Sequence, residues 1–63
     1  MNYPKAAANF NMIFNAGSFL KNKAYKYRID PNDPDKVLVT TEEGKEQDLW
    51  YSEFDMIFTL LPN

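Results

Sequence analysis

Ser18 and Ser52 are the only serines in the chain, and it has no cysteine and no histidine. Nucleophilic catalysis needs a hydroxyl or thiol with a base beside it, and the usual partner, an imidazole, is absent. Without thiols or imidazoles the common zinc and copper ligand sets are missing too. Carboxylates are what is left for acid–base or hard-cation chemistry. Glu53 and Asp55 stand two apart in "SEFD", a stretch that also serves to cap a helical turn. Asp30, Asn32, Asp33 and Asp35 crowd the stretch "DPNDPD", but an EF-hand loop begun at Asp30 needs Gly and Glu where Asp35 and Thr41 stand. Gly17 and Gly44 are the only glycines, so no glycine-rich phosphate loop can form. The expectation is a protein that is not an enzyme and carries no metal or cofactor.

Recognition is the remaining class, and the charges and aromatic rings point to it. Lys5, Lys21, Lys23, Lys26 and Arg28 precede position 30 without a single acid, whereas all nine Asp and Glu lie at or beyond it, against Lys36 and Lys45. Such a reversal marks either a partner surface or two halves that neutralise each other in the fold. Trp50 is the lone tryptophan. The candidate binding residues are Trp50, Arg28, Lys26 and Leu38, together with Asp30, Asp33 and Asp35. Trp50 has three readings: covered by a helix, an exposed anchor for a protein partner, or a stacking platform for a nucleic-acid base with Lys26 and Arg28 near phosphates. Mimicry of nucleic acid by the acidic half is a weaker idea at a net charge of −2.

These residues need a scaffold, and the pattern predicts one. "AYKYRI" (24–29) alternates apolar and basic residues with the period of a half-buried strand; "KVLVTT" (36–41), "EQDLWY" (46–51) and "MIFTLL" (56–61) read as three more. "DPNDPD" reads as a rigid exposed loop because each proline turns the preceding Asp away from helix. "TEEGK" predicts a three-residue hairpin turn with Gly44 at positive φ. That turn sets Val39 opposite Gln47 and Val37 opposite Leu49. Burial then sets Ile29, Tyr27 and Tyr25 opposite Val37, Val39 and Thr41. On the other face, one row holds Arg28, Leu38 and Asp48 and the next Lys26, Thr40 and Glu46, so basic and acidic strands flank a neutral one. "SEFD" predicts a single helical turn capped by Ser52. At the N-terminus, Ala6, Phe10, Ile13 and Phe14 share a helix face, and Pro4 and Gly17 suit its two ends, although "NFNMIFN" also alternates. Ala6 to Ala8 favour helix over 4–16, laid on Leu38 and Trp50 as a second small core.

The 63 residues make one domain, and five Phe, four Tyr and one Trp supply the core that disulfides cannot. The longest apolar run, Met56 to Leu61, is far short of a membrane span and is broken by Thr59. Asn9, Asn11 and Asn15 interrupt the N-terminal apolar stretch, which reads as part of the fold rather than an export signal, so a cytoplasmic location is expected. The fold class expected is α+β: an N-terminal helix plus a four-stranded antiparallel sheet or small barrel over 24–61.

Strand, loop, strand, glycine turn, strand, helical turn and strand, with "WY" ahead of the helical turn, resembles the small SH3-like barrels over residues 19–61. The chain departs from signalling SH3 domains in having no "ALYDY"-like stretch and no Pro followed by Tyr in the last turn. In its shortness, acidity and aromatic content it is similar in character to small phage-encoded proteins that bind a host protein and alter its activity. The resemblance implies a protein-binding module that inhibits or regulates its partner. A nucleic-acid-binding barrel stacking bases on Tyr25, Tyr27 or Trp50 is the alternative, and a homo-oligomeric subunit joined through an edge strand is the third.

Overall fold

The computed structural model describes residues 4 to 62. Seven strands and one helix follow in the order β1 (Lys5–Ala8), β2 (Met12–Phe14), β3 (Gly17–Phe19), β4 (Ala24–Asp30), β5 (Asp33–Thr40), β6 (Glu46–Trp50), α1 (Tyr51–Ile57) and β7 (Phe58–Leu60). A five-stranded antiparallel sheet runs β6-β5-β4-β1-β7, and β2 and β3 form a separate hairpin.

The expected α+β fold with an N-terminal helix is therefore corrected. Residues 4–16 contain two strands and no helix. Ala6 to Ala8 favour helix locally, but β1 lies between β4 and β7 and bonds to both, so tertiary pairing overrides propensity. Ala6 and Ala8 are buried, and their small side chains leave the interior to larger ones. Phe19 fills it, meeting Tyr25 and Phe58 edge to face at ring distances of 4.9 and 5.2 Å. Val37, Val39, Leu49 and Phe54 complete the core, with Met12, Phe14, Tyr27 and Ile57 packed around it. Met12 and Phe14 point one way and Ile13 is 89% exposed, which is the period of two in "NFNMIFN" rather than the helical period.

Three further boundaries differ from expectation. "DPNDPD" is a tight connection: Asp30 pairs with Asp33 around Pro31 and Asn32, and the register shifts where Ile29 has paired with Val37. Asn32 N–H donates to Asp30 Oδ1 at 2.9 Å and Asp35 N–H to Asp33 Oδ1 at 3.0 Å, so both aspartates bend their own backbone. The helical turn is longer than "SEFD" predicts and absorbs the start of "MIFTLL". Its N-cap is Trp50 rather than Ser52, and Glu53 accepts the Trp50 N–H at 3.1 Å. Finally, Tyr25 pairs with Ala6 rather than Thr41, because β4 leaves β5 above Tyr27 and continues along β1.

The central meander forms in the expected register. Tyr27 faces Val39, Ile29 faces Val37, Val37 faces Leu49 and Val39 faces Gln47. Gly44 N–H donates to the Thr41 carbonyl at 2.9 Å and Thr41 N–H to the Lys45 carbonyl at 2.8 Å, closing the turn with Gly44 at φ 85°. No helix among the described residues is long and apolar enough to cross a membrane.

Candidate functional site

The outer face of β4, β5 and β6 carries the charged rows, and their ion pairs run diagonally. Arg28 lies opposite Leu38 and in line with Asp48, yet its guanidinium makes a two-pronged pair with Glu46, at 2.8 and 2.9 Å. Lys36 lies opposite Trp50 and pairs with Asp48 at 3.3 Å. Both cations reach two residues toward the start of β6. A right-handed sheet twist produces this by bringing one set of diagonals closer than the other. The Arg28 pair holds the Glu46 carboxyl below its ordinary range. Such exposed pairs are screened by solvent and select register more than they add stability.

The candidate residues fall into two groups. Lys26, Arg28 and Leu38 line a shallow pocket of about 170 Å³ with Tyr27, Thr40 and Glu46. Trp50 lies elsewhere: with Asp35, Tyr51 and Ser52 it lines an open recess of about 400 Å³. Trp50 is 52% exposed and Tyr51 46%, so the expected cover by an N-terminal helix is corrected along with the helix itself. Lys36 Nζ sits 4.7 Å from the centre of the Trp50 ring, fixing one face of the indole by cation–π attraction. Tyr51 packs its edge against Phe54 at 6.2 Å, which anchors one end of the ring in the core and leaves the rest in solvent.

Asp30, Asp33 and Asp35 form no salt bridge among the described residues, and they do not converge on a common point. Asp35 alone stands with Trp50, in the wall of the recess. Tyr51 is absent from the sequence-derived set although it stands next to Trp50. A strand over 46–51 puts consecutive side chains on opposite faces, whereas the helix that begins at Tyr51 puts both beside Ser52.

A polar relay closes the opposite end of the sheet. Leu20 N–H donates to the Tyr25 hydroxyl at 2.7 Å, which donates to Glu42 Oε2 at 2.6 Å, and Lys23 pairs with the same oxygen at 2.6 Å. Lys23 and then Tyr25 hold the Glu42 carboxyl below its ordinary range; burial, then the bond to Glu42, raises the Tyr25 phenol. Tyr25 is too buried for its ring to meet a ligand, and Tyr27 packs on Phe54 at 4.9 Å. The chain matches no protein-family model, no curated protein and no solved structure.

Proposed function

We propose that this chain is a non-enzymatic module that binds and regulates another protein, with Trp50 and Tyr51 as anchors and Asp30, Asp33 and Asp35 as an acidic rim. The observation that carries the reading is the exposed Trp50–Tyr51 pair at the edge of an open recess. Large half-exposed rings held rigid from below lose little entropy on binding, and such rings dominate protein-binding hot spots. Asp35 in the recess wall selects the partner's chemistry: a segment that carries Lys or Arg beside a bulky apolar residue. The order of elements, with a hairpin between β1 and β4 and a helical segment between β6 and β7, supports a kinship with SH3-like partner-binding domains as part of the same proposal. A nucleic-acid platform ranks second, because two of the three rings expected to stack bases, Tyr25 and Tyr27, are occupied in packing.

Selection of random displayed peptides on the immobilised protein tests the reading. The expected peptides are cationic with an aromatic or aliphatic anchor, and Trp50→Ala weakens their binding by about 2 kcal/mol or more while circular dichroism stays unchanged. Asp35→Asn weakens it less. Peptides that bind Trp50→Ala as well as they bind the parent protein would remove the site.

A further inference from the structure

The recess at Trp50 joins residues from three elements, and the charges around it do not balance. Lys36 lies opposite Trp50 in the β5–β6 register, so one step on Asp35 comes level with Tyr51, where β6 ends and α1 begins. Asp35, Trp50, Tyr51 and Ser52 line the recess. Asp35 is exposed and makes no salt bridge among the described residues. Glu53 brings a second carboxylate to the Trp50 backbone N–H, at 3.1 Å, and it too makes no salt bridge among them. Lys36, the cation over the indole, is matched by Asp48 and takes one face of the ring. A guest that stacks on Trp50 takes the rest of the ring, in surroundings with carboxylate charge to spare.

From two half-exposed rings and a spare carboxylate in one recess, and resting on the reading of that recess as the partner site, we infer that its occupant is an arginine side chain of the partner. A guanidinium is flat and weakly hydrated, so its face stacks on an aromatic ring while its edge donates two parallel bonds to a carboxylate. The recess offers both surfaces, the rings of Trp50 and Tyr51 and the carboxylate of Asp35. The Ser52 hydroxyl is a further acceptor in the wall, and donors left over reach water because the recess is open. A lysine ammonium is a compact, strongly hydrated point charge; it neither stacks nor forks, and it gives up more water to enter. Arginine is also, with Trp and Tyr, a residue in which the binding energy of protein interfaces concentrates.

Titration at low ionic strength with N-acetylarginine amide, N-acetyllysine amide and N-acetylcitrulline amide tests the assignment, read by amide chemical shifts and by the fluorescence of Trp50, the lone tryptophan. The citrulline compound keeps the shape of arginine without its charge. The arginine compound is expected to give saturable shifts at Asp35, Trp50, Tyr51 and Ser52, to change the fluorescence, and to bind about fivefold or more tighter than either of the others. Asp35→Asn brings arginine down to the level of lysine with circular dichroism unchanged. Asp55→Asn removes the same charge from a position of α1 outside the recess wall and keeps the preference. Equal binding of the arginine and lysine compounds overturns the inference, and the protein-binding reading then stands if peptides selected on the protein still lose affinity on Trp50→Ala. Shifts that avoid Trp50 and Tyr51, or an arginine preference that survives Asp35→Asn, overturn it as well. Selected peptides that bind without Trp50 remove the reading and the inference together.

Discussion

Two turns of this protein, β5–β6 and β2–β3, hold their strands in opposite ways. The β5–β6 turn closes on itself: Thr41 N–H donates to the Lys45 carbonyl, Gly44 N–H to the Thr41 carbonyl and Lys45 N–H to Thr41 Oγ1, and a Cβ on Gly44 would meet nothing within 4 Å. The β2–β3 hairpin is held from outside. Glu43, at the tip of the first turn, accepts both the Ser18 N–H at 2.7 Å and the Ser18 hydroxyl at 2.9 Å. Glu42 N–H donates to the Ser18 carbonyl, Thr41 Oγ1 donates to the Ala16 carbonyl at 3.3 Å, and Gln47 Oε1 accepts the Ala16 N–H at 2.8 Å. Ile13 and Phe10 meanwhile face solvent. The hairpin buries Phe19 and packs Met12 and Phe14 around the core, but its turn end is held by polar contacts from distant residues, whereas the turn that supplies them stands by local geometry.

The largest test of that contrast is Gly17→Ala. Gly17 has φ 147°, and a Cβ there would run into Glu43 Oε1 and lie 2.6 Å from Thr41 Oγ1 and 2.8 Å from Thr41 Cβ. Overlap with the supporting residues adds to backbone strain, so the loss expected in denaturant unfolding is about 2 kcal/mol or more. Gly44→Ala, with strain alone, costs about 1 kcal/mol, or roughly 4–8 °C in melting temperature. Equal losses at the two glycines would erase the distinction.

Acid sharpens it next. The Glu43 carboxyl is held below its ordinary range by the Ser18 N–H and then the Ser18 hydroxyl, and Glu42 and Glu46 are lowered by Lys23 and Arg28. Carboxyls lowered in the folded state contribute stability that is complete above the ordinary value of 4.5 and is lost as pH falls below it. Melting temperature is expected to drop below that value, with amides of β2 and β3 exchanging before those of β5. The raised Tyr25 phenol works in reverse: its stabilisation is complete below 10.0 and lost as pH rises above it. A hairpin that stays protected in acid as long as β5 would show that Glu43 is not its anchor.

The smallest effect belongs to the surface pairs. Arg28→Glu and Glu46→Arg should each lower the melting temperature slightly, and the two together should recover most of the loss, as a double-mutant cycle would read. Arg28→Asp with Asp48→Arg should recover less, because Asp48 belongs to Lys36. Equal recovery in both exchanges would break the diagonal assignment.

Alternation of apolar residues and one glycine turn determined the β4–β5–β6 meander, its register and its facing rows. Those signals are local, since a one-residue slip there exposes Val37 and Val39. The charge reversal was legible in the same way, as pairing between β4 and β6, although the diagonal needed the sheet twist. The fate of residues 4–20 was decided by tertiary structure. Three alanines favour helix in isolation, and nothing in their own stretch announces that strands from residues 24–26 and 58–60 will flank them. The placement of side chains on the surface is tertiary for the same reason. Lys5 meets Lys26, and Asp35 meets Trp50 and Tyr51, only because strands distant in the chain bond side by side, and the helix start at Tyr51 turns two consecutive rings toward one recess.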